Sequence, residues 1–140
     1  MRRILVALDG SPRAPQVLAA AVQLAEMSGA KLVLYRAIGV SPDLRHALPE
    51  DARLEEVLPR HARAELDRLA EAVPPTLLEA IVTGFATAWD GICTTAKERD
   101  VDLIVIGSHG FGGIDRLIGT VAAKVVNHAD RNVFVVRAAS

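Results

Sequence analysis

Five short aliphatic runs punctuate the chain: RRILVALD (2–9), AKLVLYRAI (30–38), TLLEAIVTG (76–84), VDLIVIG (101–107) and RNVFVVR (131–137). Between them lie stretches whose apolar residues recur at helical spacing, as Val17, Leu18, Ala21, Val22 and Ala25 do after the first run. Strict alternation of this kind predicts an α/β fold: a single doubly wound, five-stranded parallel sheet with helices on both faces, joined by right-handed crossovers. Composition agrees, because half of the 140 residues are hydrophobic and only 4% are aromatic. A parallel sheet covered on both faces calls for that aliphatic excess. The length suits one domain, expected to span 1–140.

The helices are predicted at about 11–29, 54–73, 87–100 and 120–130. Ser11 is placed to cap the first, with Pro12 in its opening turn and Gly29 as the left-handed residue that ends it. Pro59 should start or kink the second, and Gly91 should weaken the third. Residues 39–53 read as a long loop. The net charge of −1 argues against a nucleic-acid or membrane partner. With the single Cys93 and no secretory signal or long apolar run, a cytoplasmic setting is expected.

In doubly wound sheets ligands bind beyond the C-terminal ends of the strands, where strand order reverses. The segments predicted at that rim are Asp9-Gly10, Ala37-Ile38, Thr83-Gly84 and Gly107-Ser108. The last opens the stretch VIGSHGFGGIDRLIGTVAAKVV (105–126), whose glycines admit two readings. In one, main-chain N–H groups around Gly107-Ser108-His109-Gly110 turn toward an anion. Gly119 and Thr120 then present a helix N-terminus to the same anion. In the other, a single helix runs from about 113 to 129 and Gly119 is a packing notch.

Several nucleotide-binding and phosphate-accepting patterns are excluded residue by residue. No G-x-x-x-x-G-K-[ST] occurs, and no G-x-G-x-x-G follows the first strand. A receiver-like signalling domain would need an acid where Thr83-Gly84 stands, and a PP-loop synthetase would need S-G-G-x-D-S where LDGSPRA stands.

ILVALDGS, DLIVIGSHG and GTVAAKVVNHADRNVFVV together resemble the universal stress protein family, over essentially the whole chain. The ATP-binding members carry G-x-x-G, nine residues, then G-[ST]; here Gly107, Gly110, Gly119 and Thr120 match, with eight intervening residues. The resemblance implies a Rossmann-like fold of the adenine-nucleotide α-hydrolase type and ATP as ligand, with Mg²⁺. It puts Asp9 near the nucleotide and the backbone of Ala7 and Ala37 along adenine. Gly107, His109 and Gly110 would follow the ribose and phosphates, with Gly119, Thr120 and Val121 on the outer phosphates. It further implies a homodimer through the C-terminal strand, where Phe134 and Val136 face one way and Val133 and Val135 the other.

The function expected is a stress-response switch that binds ATP and signals to a protein partner. The alternative is a nucleotide-independent interaction module of the same fold. Asp9 and His109 offer slow ATP hydrolysis at most, and no residue is assigned as catalytic. For Asp9 the competing role is capping the turn before the first helix. For His109 it is an exposed loop position. Lys124 and Arg116 are candidate phosphate counter-charges or solvated surface, and Trp89 is a packing or partner contact. Cys93 reads as a small buried apolar residue, and His46, His61 and His128 show no metal-ligand spacing.

Overall fold

The computed structural model describes residues 1–39, 54–109 and 118–137. In chain order they form β1 (Arg3–Ala7), α1 (Ala14–Ser28), β2 (Lys31–Ile38), α2 (Leu54–Ala70), a short 3₁₀ turn (Pro75–Leu77) and β3 (Leu78–Phe85). α3 (Ala88–Glu98), β4 (Leu103–Gly107), α4 (Thr120–His128) and β5 (Asn132–Val136) complete the order. Of the loop predicted at 39–53, residues 40–53 lie outside the described residues. All strand pairs are parallel, and the sheet order is β3-β2-β1-β4-β5. The chain builds outward from β1 to β3, then returns past β1 to lay down β4 and β5. The reversal lies between β1 and β4, where Ala7 is opposite Ile106.

Alternation along the strands divides the core in two. Ile4, Val6, Leu32, Leu34 and Val105 point to the face covered by α1 and α2. Leu5, Tyr35, Ile104 and Ile106 point to the face covered by α3 and α4. Several of these side chains are wholly buried, and each contributes roughly 1.5–3 kcal/mol relative to exposure. Such runs cannot sit in a half-solvated sheet, which is why β1, β2 and β4 occupy the three inner positions.

Helix ends are set by local chemistry. Gly29 closes α1 with φ 79°, its N–H donating to the Ala25 carbonyl at 2.8 Å, as the sequence predicts. α1 starts later than predicted: Arg13 is the N-cap, and the proline in the first turn is Pro15 rather than Pro12. Ser11 instead shapes the turn ahead of the helix, its hydroxyl accepting the Arg13 N–H at 3.3 Å. α2 runs through Pro59 without ending there. α3 ends at Glu98, and Asp100 takes the left-handed conformation at φ 51° while the Val101 N–H reaches back to the Ala96 carbonyl at 3.1 Å. Aspartate tolerates that conformation better than most residues. No helix among the described residues is long and apolar enough to cross a membrane.

Gly91 has a steric reason to stand within α3, which runs through it unbroken. A Cβ there would run into the buried Tyr35 hydroxyl and come within 2.9 Å of the Ala86 Cβ. Tyr35 is 2% exposed, so its hydroxyl can yield only by repacking the buried face around it. Gly91→Ala is therefore expected to destabilise the fold by about 1–3 kcal/mol, against the ~1 kcal/mol that alanine ordinarily gains in a helix. In urea titrations, Tyr35→Phe combined with Gly91→Ala should lose less than the sum of the single changes. Strict additivity would show that the Tyr35 hydroxyl is not the obstacle.

Candidate functional site

The turn from β1 into α1 is built by side-chain oxygens. Asp9 Oδ1 accepts the Ser11 N–H at 2.9 Å, and the Ser11 carbonyl accepts the Ala14 N–H at 3.2 Å. The turn-capping role for Asp9 is thus present, and its exposed carboxylate also borders the cavity at this rim. Behind the turn, the Arg36 guanidinium at the end of β2 pairs with Glu65 of α2. Arg36 Nη2 lies 3.1 Å from where a Cβ on Gly10 would stand. The ion pair therefore closes over the backbone that carries Asp9.

The exit of β4 is equally constrained. The Ser108 N–H donates to the Val136 carbonyl at 2.8 Å, extending the sheet one residue past Gly107. The Ser108 carbonyl accepts the Gly119 N–H at 2.6 Å. A Cβ on Gly119 would stand 2.9 Å from that carbonyl oxygen, and one on Gly107 would stand 2.9 Å from Val17 Cγ2. Both glycines are thus required by close approach of protein atoms. Gly119 has φ −63° and ψ 163°, a conformation open to any residue, so room rather than dihedral freedom selects it. Helix α4 begins at Thr120 with Gly119 as its N-cap, which overturns the reading of one helix from 113 to 129.

The Gly119 N–H is consequently engaged and is not a donor for a ligand, which corrects the role expected for it. No side chain caps α4 among the described residues. The N–H groups of Thr120, Val121 and Ala122 are the first-turn donors that a helix leaves without intrahelical acceptors. His109 is 8% exposed, not the exposed loop residue weighed as its alternative. Its Nδ1 lies 3.1 Å from the Ser108 hydroxyl, and its buried Nε2 has no hydrogen-bond partner among the described residues.

These segments surround a cavity of about 430 Å³ at the β1/β4 reversal. Ala7, Ala37, Ala88 and Ile92 line an apolar part, and Gly107 to His109 with Gly119 to Ala122 line a part rich in main-chain groups. Of the sequence-predicted residues, Ala7, Asp9, Ala37, Gly107, His109, Gly119, Thr120 and Val121 all border this one cavity. Gly110 lies outside the described residues, as do Arg116 and His46. Tyr35, Ala88 and Ile92 were not foreseen. Period-two alternation puts Tyr35 on the face of Ala37, but nothing local announces that α3 supplies the opposite wall.

Asp9 is the one residue of the Asp, Glu, Lys and Arg types among the described lining residues. Lys124 is not directed at the cavity: its Nζ lies 5.7 Å from the Trp89 ring centroid. The His128 ring also packs on Trp89, with ring centroids 4.5 Å apart and an interplanar angle of 37°. Trp89 is therefore a packing residue that joins α3 to α4. Cys93 is half-buried, and burial pushes its thiol pKa upward, the opposite of what a reactive thiolate needs. His61 pairs with Glu65 at 2.6 Å. No group of three or more His, Cys, Asp or Glu among the described residues is arranged to hold a metal ion.

A sequence model described as "Universal stress protein family" matches residues 1–137. The chain is 30% identical over 139 residues to Universal stress protein A homolog 1 of Coxiella burnetii, covering 96% of this chain and 95% of that one. Among solved structures, universal stress protein UspA from Lactobacillus plantarum superposes with a TM-score of 0.77 at 26% identity, covering 97% of both chains. A universal stress protein solved in complex with cAMP superposes with a TM-score of 0.67 at 28% identity, covering 97% of this chain and 96% of that one.

Arg36 holds the Glu65 carboxyl below its usual pKa by hydrogen bonding to it. A depressed carboxylate pKa stabilises the fold above the unfolded value, and that stability is lost as pH falls through the folded value. Arg36→Met should therefore cost about 1 kcal/mol at neutral pH, with the gap to wild type closing as acid protonates Glu65. Urea midpoints recorded from neutral to strongly acid pH test this; a gap independent of pH would exclude the ion pair as its source.

Proposed function

This chain belongs to the universal stress protein family, and we propose that it is a cytoplasmic regulator that binds an adenine nucleotide in the cavity at the β1/β4 reversal. ATP is the ligand toward which Gly107, Gly110, Gly119 and Thr120 point. The carrying observation is the pairing of two unlike environments in one cavity. Ala7 and Ala37 line the cavity with small apolar side chains that leave room for a purine, and the uncapped α4 N-terminus presents first-turn donors to an anion. A relative at 28% identity was solved with cAMP, a ligand of the same chemical class.

In this reading the base lies against Ala7 and Ala37, and the ribose passes Asp9 and Gly107. The phosphates meet His109, Gly110, Thr120 and Val121, with Gly119 positioning the helix. Mg²⁺ would ride mainly on the phosphates, since Asp9 is the single carboxylate among the described lining residues and one of its oxygens already accepts the Ser11 N–H. A bound nucleotide would favour one arrangement of the site's surface, and a protein partner would read that difference. This reading is binding rather than turnover: efficient phosphoryl transfer asks for more charge stabilisation than the carboxylate and histidine of the described lining supply.

Isothermal calorimetry with ATP, with and without Mg²⁺, tests the binding step. Thr120→Ala should weaken the affinity roughly tenfold, the effect of losing one hydrogen bond to a charged group. Gly119 variants are poor probes, because any Cβ there meets the Ser108 carbonyl. Absence of binding by the wild-type protein would transfer the function to nucleotide-independent interactions of the same fold.

The outer edge of β5 is the second element of the proposal. Among the described residues no strand lies beyond β5 in the sheet order, and Phe134 is 43% exposed. An open edge with an apolar residue on it favours pairing with another copy. A symmetric homodimer through β5 is expected, and light scattering coupled to size exclusion should report twice the chain mass. A monomer at all concentrations would exclude it.

A further inference from the structure

The apolar end of the cavity is bounded by an aromatic ring whose position two glycines set. Tyr35 lies in β2, opposite Ala7 of β1 on one side and Val82 of β3 on the other. Its side chain belongs to the face covered by α3 and α4. The ring leans toward β3: its hydroxyl lies 3.5 Å, and its Cε2 3.9 Å, from where a Cβ on Gly84 would stand. From the helix side, a Cβ on Gly91 would run into the same hydroxyl and stand 3.3 Å from Cζ. Neither glycine has a positive φ, so each supplies space rather than dihedral freedom. Together they leave a slot between β3 and α3 that takes the tip of a phenol. The hydroxyl also interacts with the Thr95 side chain, one turn further along α3.

The direction of that lean shapes the cavity. β3 flanks β2 on the side away from the β1/β4 reversal. With its tip in the slot, the ring borders the cavity without filling the space over Ala7. Ala37, two residues further along β2, shares the same face and adds only a methyl group. The ring is 2% exposed and held at its tip, which makes it a stiff boundary. An atom added to a ligand against a stiff wall must strain the packing or leave the site, and even one methylene discriminates there.

The ligand's orientation decides which of its edges meets this wall. In the adenine-nucleotide reading the base lies against Ala7 and Ala37, and the ribose passes Asp9 and Gly107. Gly107 ends β4, and Tyr35 stands two strands away on β2. The purine edge that carries the ribose, at N9, therefore faces β4. The opposite edge, with C2, N1 and the N6 amino group, faces Tyr35. We propose that Tyr35, seated between Gly84 and Gly91, is the specificity-determining wall of the base site: it admits the unsubstituted adenine edge and excludes adenines enlarged at N6 or C2. The inference rests on the adenine-nucleotide reading above and adds the residue that limits the base. Gly91 is a positioning residue, acting through the ring that it leaves room for.

Calorimetric titrations with ATP, N6-benzyl-ATP and 2-methylthio-ATP test the wall. Both analogues should bind the wild-type protein about tenfold or more weakly than ATP. Tyr35→Leu, which shortens the wall, should bring at least one analogue to within about threefold of ATP, whereas Tyr35→Phe keeps the ring and the discrimination. Gly91→Ala closes the slot and drives the ring toward the cavity it borders, so ATP itself should weaken roughly tenfold. Adding Tyr35→Phe to Gly91→Ala should recover part of that loss, because it removes the atom that collides. Analogues that bind the wild type as tightly as ATP would overturn the wall and leave the nucleotide site intact. So would a Tyr35→Leu variant that shifts all three ligands in equal proportion or recovers neither analogue. If Tyr35→Leu does not fold, the Gly91→Ala pair decides: unchanged ATP affinity in Gly91→Ala, or no recovery in the double variant, overturns the proposal. A wild-type protein that does not bind ATP overturns the nucleotide reading, and the wall with it.

Discussion

The hydrogen bond from the Gly119 N–H to the Ser108 carbonyl, at 2.6 Å, fixes where α4 begins. Ser108 is itself held to Val136 as a continuation of the sheet. The helix start is therefore referenced directly to the C-terminal end of β4. This contact requires a residue without a Cβ, because the side chain would stand on the oxygen that accepts the bond. A small steric requirement thus becomes a positional one: the free N–H groups of the next three residues are brought to the rim beside the β1/β4 crevice. The packing role and the ligand role of this glycine are one arrangement seen from its two sides.

Most of the fold was legible because its strands are unusually uniform. Leu103 to Ile106 and Ile4 to Val6 contain no residue that tolerates solvent well, so their inner positions in the sheet follow from composition alone. The helix boundaries were less legible where two residues compete for one task. Ser11 and Pro12 carry the local signature of a helix start, yet Asp9 and Ser11 together make a turn that delays the helix to Ala14. The left-handed Asp100 that closes α3 is likewise hidden, since aspartate is common at many other positions.

The site was legible in its backbone and poorly legible in its side chains. Glycines and alanines mark where a ligand has room, and their positions on strand ends can be read from periodicity. Whether His109 is exposed or buried depends on the Gly119 contact, which joins residues far apart in the local pattern. Lys124 shows the same limit: its spacing from Thr120 suggests a phosphate partner, but Trp89 on another helix captures it. Gly91 reads as a defect of α3 until Tyr35, from β2, is found occupying the space.

Trp89 is the sole tryptophan of the chain, and it lies across the junction of α3 and α4, in contact with Lys124 and His128. Its neighbour Ala88 borders the cavity, as does the first turn of α4. The protein thus carries one indole fluorophore, on one of the two helices whose beginnings frame the binding crevice and in contact with the other. A ligand that tilts α4 against α3 changes the overlap of the indole with both the ammonium and the imidazole. Emission from this single ring reports the relative movement of those helices without any added label.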